Sequence, residues 1–255
     1  MTTVGYIALN TFRETVRDKV LYNLVLFALM MIASSFILAK ISVYQEIKII
    51  KDLGLASISV FGMVIAIFIG IGLVSKEIDK RTLYSLLPKP ISWVQFLLGK
   101  YCGLCLTLLV NVAIMTAGLY TLLFIMAEPF EPALLKAVYL IFVKLSVLVG
   151  VALLFSTFSS SILAGLFTGF IYVAGYFSAD LKNFDNVVDS GVIPAITTVL
   201  YYLLPNFKNF DIKAPIVAGD LVPFSQLAWS TLYALAYIAM LLIASTWVFQ
   251  KRNLK

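Results

Sequence analysis

Lys144 is the only charged residue in the apolar stretch 137–158. A charge at the centre of a bilayer costs about 2.5–3.5 kcal/mol on insertion scales. Two uses of such a lysine stay open. It faces a substrate path and meets an anionic group there, or its stem snorkels or pairs inside the protein. Cys102 and Cys105, three residues apart, share one helical face, but two thiols alone make a poor metal site and read as packing. Histidine is absent. That removes His-based zinc sites, bis-His haem ligation and every Ser–His or Cys–His nucleophile pair. The only Gly-Lys pair, Gly99-Lys100, is followed by Tyr101 and has Val94 where a phosphate-cradling loop needs glycine. No catalytic residue and no bound metal or cofactor is therefore expected, and the chain is not read as an enzyme. If ATP and Mg are used, they belong to another polypeptide.

The densest group of charges lies in residues 76–92, Lys76-Glu77-Ile78-Asp79-Lys80-Arg81-Thr82-Leu83-Tyr84-Ser85-Leu86-Leu87-Pro88-Lys89-Pro90-Ile91-Ser92. Charges come first, then the apolar Leu83, Leu86 and Leu87, then two prolines. A short helix that stops at Pro88 fits, because proline cannot continue the hydrogen-bond ladder. Such a helix needs a surface to cover its leucines, which a soluble partner would supply. A solvated basic loop with local packing is the other reading.

The elements that hold these residues are membrane spans. Of 255 residues, 62% are hydrophobic and 13% charged, with mean hydropathy +1.00. A soluble domain is closer to half apolar and a quarter charged. About 20 apolar residues cross a bilayer core. Six stretches qualify: 20–39, 55–75, 101–127, 137–158, 159–179 and 224–249. The expected fold is all-α, a single polytopic permease-like domain over 1–255. Residues 192–204 contain Pro194 and are too short to cross, so they read as a re-entrant or interfacial helix on the outer side. The Ser159-Ser160-Ser161 run reads as a tight inner turn. Residues 1–18 place Val4, Ile7, Ala8, Thr11, Phe12, Thr15 and Val16 at helical spacing against Asn10, Arg13, Glu14, Arg17 and Asp18. This is an amphipathic helix at the membrane surface, either a simple anchor or an elbow that passes movement to the first span. No cleavable signal peptide is read in the first ten residues.

Charge sets the expected orientation. With both termini inside, the inner segments hold 11 of the 19 Lys and Arg and four acids, a net +7 against −1 for the rest. The basic excess is thus a topology signal, and nucleic acid is not an expected partner. Membrane lipid is. The expected location is the cytoplasmic (inner) membrane of a bacterium or archaeon, with both termini cytoplasmic.

The run E-I-D-K-R-T-L-Y-S-L-L-P-K-P-I-S…F-L-L-G-K, from Glu77 to Lys100, resembles the loop between spans two and three of type-2 ABC exporter permeases. N-T-F-R-E-T-V-R-D-K from Asn10, L-P-N-F from Leu204 and F-Q-K-R-N-L from Phe249 are similar to other parts of that family. The nearest branch resembles the permease of the copper-site maturation system of nitrous oxide reductase. Arg81 and Trp93 depart from the commoner Gly and Arg. The resemblance implies that 76–92 forms a cytoplasmic coupling helix seated in a groove of an ABC ATPase subunit. It puts Glu77, Arg81, Thr82, Leu83, Leu86, Leu87 and Pro88 at that contact. It also implies a second permease copy, identical or related, paired through spans one and five.

Small residues recur every four positions at Ser161, Gly165 and Gly169 and at Gly62, Ala66 and Gly70. Such faces let helix backbones approach closely, within a chain or between chains. The first row is the candidate dimer face; ordinary packing within the chain is the alternative. Residues 180–220 mix acids with aromatics and read as a solvated outer loop, an exit gate or a docking site. The leading expectation is the permease subunit of an ATP-driven exporter, with Lys144 on the path. A scaffold that recruits an ATPase for maturation of another protein without moving a substrate is the alternative. A membrane enzyme and an ion-coupled carrier fit less well, since no pair of intramembrane carboxylates is evident.

Overall fold

Backbone N–H and C=O groups find no water inside a bilayer, so apolar runs of this length bond within themselves as helices. The computed structural model describes residues 3–40, 45–79, 92–184, 201 and 203–252. Among them the regular elements are α1 (Thr3–Val16), α2 (Lys19–Ala39), α3 (Glu46–Asp79), α4 (Trp93–Ile125), α5 (Pro132–Phe158), α6 (Ser161–Phe184), a 3-10 turn (Phe207–Phe210), α7 (Lys213–Ala218) and α8 (Phe224–Arg252). Six of them, α2 to α6 and α8, are long and apolar enough to cross a membrane. No strand occurs among the described residues.

α3, α4 and α5 begin before the apolar windows read from sequence, and α4 ends at Ile125, two residues short of its window. α3 starts at Glu46, and its first turns carry Lys51, which pairs with Glu131 just before α5. α4 starts at Trp93 because Ser92 and Gln95 form a capping box over its first turn. α5 opens with Pro132, whose missing N–H costs nothing at a first helical position. An apolar window marks the part of a helix suited to lipid; the helix itself continues into its polar ends. The serine run breaks the chain as expected, with α5 ending at Phe158 and α6 beginning at Ser161.

α5 is the most enclosed span and packs on α3, α4, α6 and α8. Its seam with α3 is made by the small residues singled out in sequence. A Cβ at Gly62 would come within 2.5 Å of the Leu145 side chain, and one at Gly70 would overlap Ala152. This row is spent inside the chain. α1 lies along the first turns of α4, where Gly99 and Gly103 admit it. A Cβ at Gly99 would stand 2.7 Å from Ile7, and one at Gly103 would stand 2.5 Å from the Ala8 carbonyl. Thr11 and Thr15 are buried on that side, while Asn10, Arg13, Glu14, Arg17 and Asp18 are exposed. Asp18 then caps α2 by accepting from the Val20 N–H.

Residues 203–223 depart from the expectation of a solvated outer loop. Phe207, Phe210, Ile212 and Ile216 are buried in the core, and Gly219, at φ +88, ends α7. The polar groups of this segment are tied down. Tyr237 donates to the Leu203 carbonyl at 2.7 Å, the Asn206 N–H donates to Tyr233 at 2.9 Å, and Ser230 donates to the Asn209 carbonyl at 3.0 Å. Lys136 donates to the Val222 carbonyl at 3.2 Å. Four aromatic and aliphatic side chains buried from a short segment explain why it lies on the bundle. Of the expected re-entrant helix at 192–204, all but Tyr201 and residues 203–204 lies outside the described residues.

Candidate functional site

Lys144 is the thirteenth residue of α5, so about 18 Å of helix separates it from one end and about 21 Å from the other. It is 1% exposed. Its ammonium donates to Ser59 Oγ of α3 at 2.8 Å and to Tyr176 OH of α6 at 2.7 Å. It also lies 5.6 Å from the ring centre of Tyr172 and 5.3 Å from that of Tyr176. Tyr172 and Tyr176 are one helical turn apart and pack edge to face. Aromatic faces attract a cation through their quadrupole, and the attraction grows when water is excluded.

The cradle is closed by the 203–210 segment. Phe207 stacks against Tyr172 at 5.5 Å and Tyr176 at 6.3 Å. Gly175 makes room for it: a Cβ there would stand 2.5 Å from both the Phe207 ring and the Pro205 carbonyl. Just beyond, Asp211 and Lys213 form an ion pair at 3.6 Å within electrostatic range of Lys144. Among the described residues no carboxylate lies within ion-pairing distance of Lys144. Four parts of the chain therefore meet at one cation. Chemically, they present hydroxyl groups and aromatic faces to a buried ammonium, and among the described residues no nucleophile–base pair lies beside it.

The other expected residues fall elsewhere. Glu77 belongs to the last turns of α3, and Arg81, Thr82, Leu83, Leu86, Leu87 and Pro88 lie outside the described residues. Gly165 faces α3, where a Cβ would stand 3.3 Å from Ile71, while Gly169 has open space beside it. The exposed face of α6 is instead large and apolar, carrying Ile162, Leu166, Phe170, Val173 and Phe177. Ser161 lines a groove at the α1 end together with Glu14, Asp18, Leu21 and Phe68. Cys102 is exposed, Cys105 is half-buried, and both are free thiols. Among the described residues no group of three metal-ligating side chains occurs. Sequence reading found Lys144 and missed Ser59, Tyr172, Tyr176, Gly175 and Phe207. The one available signal was Tyr172 and Tyr176 at i, i+4 spacing in an otherwise apolar helix.

An all-helical bundle with six spans around a buried, hydroxyl-bound lysine defines a multi-pass membrane protein. The chain belongs to the family described as "Protein of unknown function (DUF2705)", whose model matches residues 44–255. A comparison with curated proteins gives no match.

Proposed function

We propose that the chain is the membrane-spanning permease subunit of an ATP-driven ABC-type exporter, working with a separate ATPase subunit and a second permease copy. The observation that carries this reading is the seat of α1 on the first turns of α4. α4 begins at Trp93, directly after the segment that resembles a coupling helix, and Gly99 and Gly103 wedge α1 against it. A push on residues 76–92 would reach α4, then α1, then α2 through the Asp18 cap. That is the behaviour of an elbow helix. Nucleotide binding in the partner needs only to favour one arrangement of these helices over another. The basic side of the molecule, with both termini, then faces the cytoplasm, as positive residues near spans favour. Lys144 lies on the substrate path, beneath a cover formed by 203–210 on the opposite side.

Co-purification tests the proposal. Tagged permease extracted in mild detergent should bring down a nucleotide-binding subunit. Leu86→Asp with Leu87→Asp should abolish that recovery while the permease still folds. Wild-type chain that recovers no such subunit would sink the reading.

A further inference from the structure

We propose that the groove between the first turns of α5 and α8 is a seat for one anionic phospholipid of the surrounding bilayer, with its phosphate on Lys136 and an acyl chain along the two helices. Such a seat would serve the chain whether or not an ATPase works with it.

The groove has a volume of about 610 Å³. Leu135 and Tyr139 line it from α5, and Leu227, Ala228, Leu232 and Leu235 line it from α8. Leu232 and Leu235 are exposed, so it opens sideways toward lipid. Along α8 the lining runs from Phe224 to Leu235, about 17 Å of helix axis. That is close to the depth of one leaflet, half of a hydrocarbon core of about 30 Å. The walls are apolar apart from two hydroxyls, and these are already bonded. Thr231 donates to the Leu227 carbonyl at 2.7 Å, so Tyr139 donates to Thr231 at 3.0 Å. An alkyl chain gains from such walls, and a hydrophilic solute does not.

Lys136 supplies the charge. It lines the groove, is half-buried and is the fifth residue of α5, a depth from which a lysine reaches the interface. Its ammonium donates to the Val222 carbonyl at 3.2 Å, which places it at the end of the groove where α8 begins. Among the described residues no carboxylate pairs with it. An ammonium has three N–H donors. The carbonyl takes one, so two remain for a phosphate and no existing bond has to break. Hydrogen bonds from a cation to an anionic oxygen are roughly twice as strong as neutral ones. The first-turn N–H groups of α8 add partial positive charge at the same end. A zwitterionic headgroup brings its own cation there, so a lipid of net negative charge is preferred. A second copy is the poorer occupant. The exposed face of α6 carries no carboxylate between Ser161 and Ser178 and would leave the ammonium without an anion.

The test is native mass spectrometry of the full chain in detergent, titrated with phosphatidylglycerol or with phosphatidylcholine of the same acyl chains. Wild type should hold one phosphatidylglycerol more tightly than phosphatidylcholine. Lys136→Gln should weaken phosphatidylglycerol about 3- to 10-fold, as fits one partly exposed charge-assisted contact, and leave phosphatidylcholine unchanged. Lys136→Arg should keep the preference. Ala228→Trp fills the groove and should weaken both lipids. A lysine that only holds the Val222 carbonyl would lower the unfolding temperature when replaced and leave lipid selectivity as it was. Equal affinity for the two lipids in wild type would overturn the proposal. So would unchanged phosphatidylglycerol binding in Lys136→Gln, or a dimer that excludes the lipid and is lost in Ala228→Trp. The wild-type comparison and Ala228→Trp decide the matter even if Lys136→Gln does not fold.

Discussion

A hydroxyl buried without a hydrogen bond costs about 1–3 kcal/mol, and Thr11 Oγ1 is such an atom, enclosed where α1 meets α4. Thr11→Val keeps the shape and removes the orphaned oxygen. It should leave the thermal midpoint unchanged or raise it. A clear fall would mean that the hydroxyl has a partner in solution. Lys144 poses the opposite case, because its charge is met by hydroxyls. Ser59→Ala takes one acceptor from a buried cation and should cost about 1.5–3 kcal/mol, the range for hydrogen bonds to charged groups. Lys144→Met removes charge and need together, and replacements of that kind are often neutral or stabilising. Thermal unfolding of both variants decides the matter: Met at 144 destabilising as much as Ala at 59 would make the lysine a structural residue. Lys144 was legible in sequence because it interrupts an apolar run. Its partners were not, since they lie 85 and 32 residues away and serine and tyrosine are unremarkable in a span.

At the scale of elements, the face that α1 buries follows the 3.6-residue period of its apolar positions, and sequence alone gives it. The receiving surface on α4 does not announce itself. Gly99 and Gly103 read as ordinary span residues until the α1 backbone is seen against them. Gly103→Val should force α1 away from α4, because a side chain there meets the Ala8 carbonyl. Overpacking of this type costs about 1–3 kcal/mol. Limited proteolysis should then cut near residues 16–18 sooner than in wild type, and an unchanged cleavage rate would refute the wedge. The short 3-10 turn and α7 escaped sequence reading for a physical reason. A six-residue helix has too little period to recognise, and its burial comes from contacts with distant spans. Gly175→Leu tests how firmly that segment sits. It should displace Phe207 and raise the labelling of a cysteine placed at Leu203.

Across the whole molecule, six spans were legible because composition leaves no other solvent for so much apolar surface. Their arrangement was not, since hydropathy is blind to which face meets a neighbour. The proposed topology is checked with cysteines at Thr3 and Glu128 in a chain whose Cys102 and Cys105 are serine. An impermeant thiol reagent added to intact cells should label position 128 and spare position 3. The reverse pattern would invert the orientation. The proposed pairing of two copies is better tested on the exposed face of α6 than at Gly165, which packs against Ile71. Cysteine at Phe170 should crosslink between copies if that face is the contact, and monomer alone would move the contact elsewhere.

The cradle around Lys144 also has a consequence for biogenesis. Ser59 is made before the lysine and Tyr176 after it. A nascent chain that ends at Phe158 owns half of the cradle, and its second polar partner, Tyr176, has yet to be made. α5 must then enter the bilayer on the strength of its leucines and valines, which make it the most apolar of the six spans. Truncated chains released after residue 158 and after residue 184 separate the two stages in a glycosylation-mapping assay. Insertion of α5 should be poorer with Lys144 than with Lys144→Leu in the shorter chain and equal in the longer one. An equal result at both lengths would show that the translocon and lipid accept the lysine unaided. The timing of synthesis would thus be part of what allows a cation to rest at the middle of a membrane.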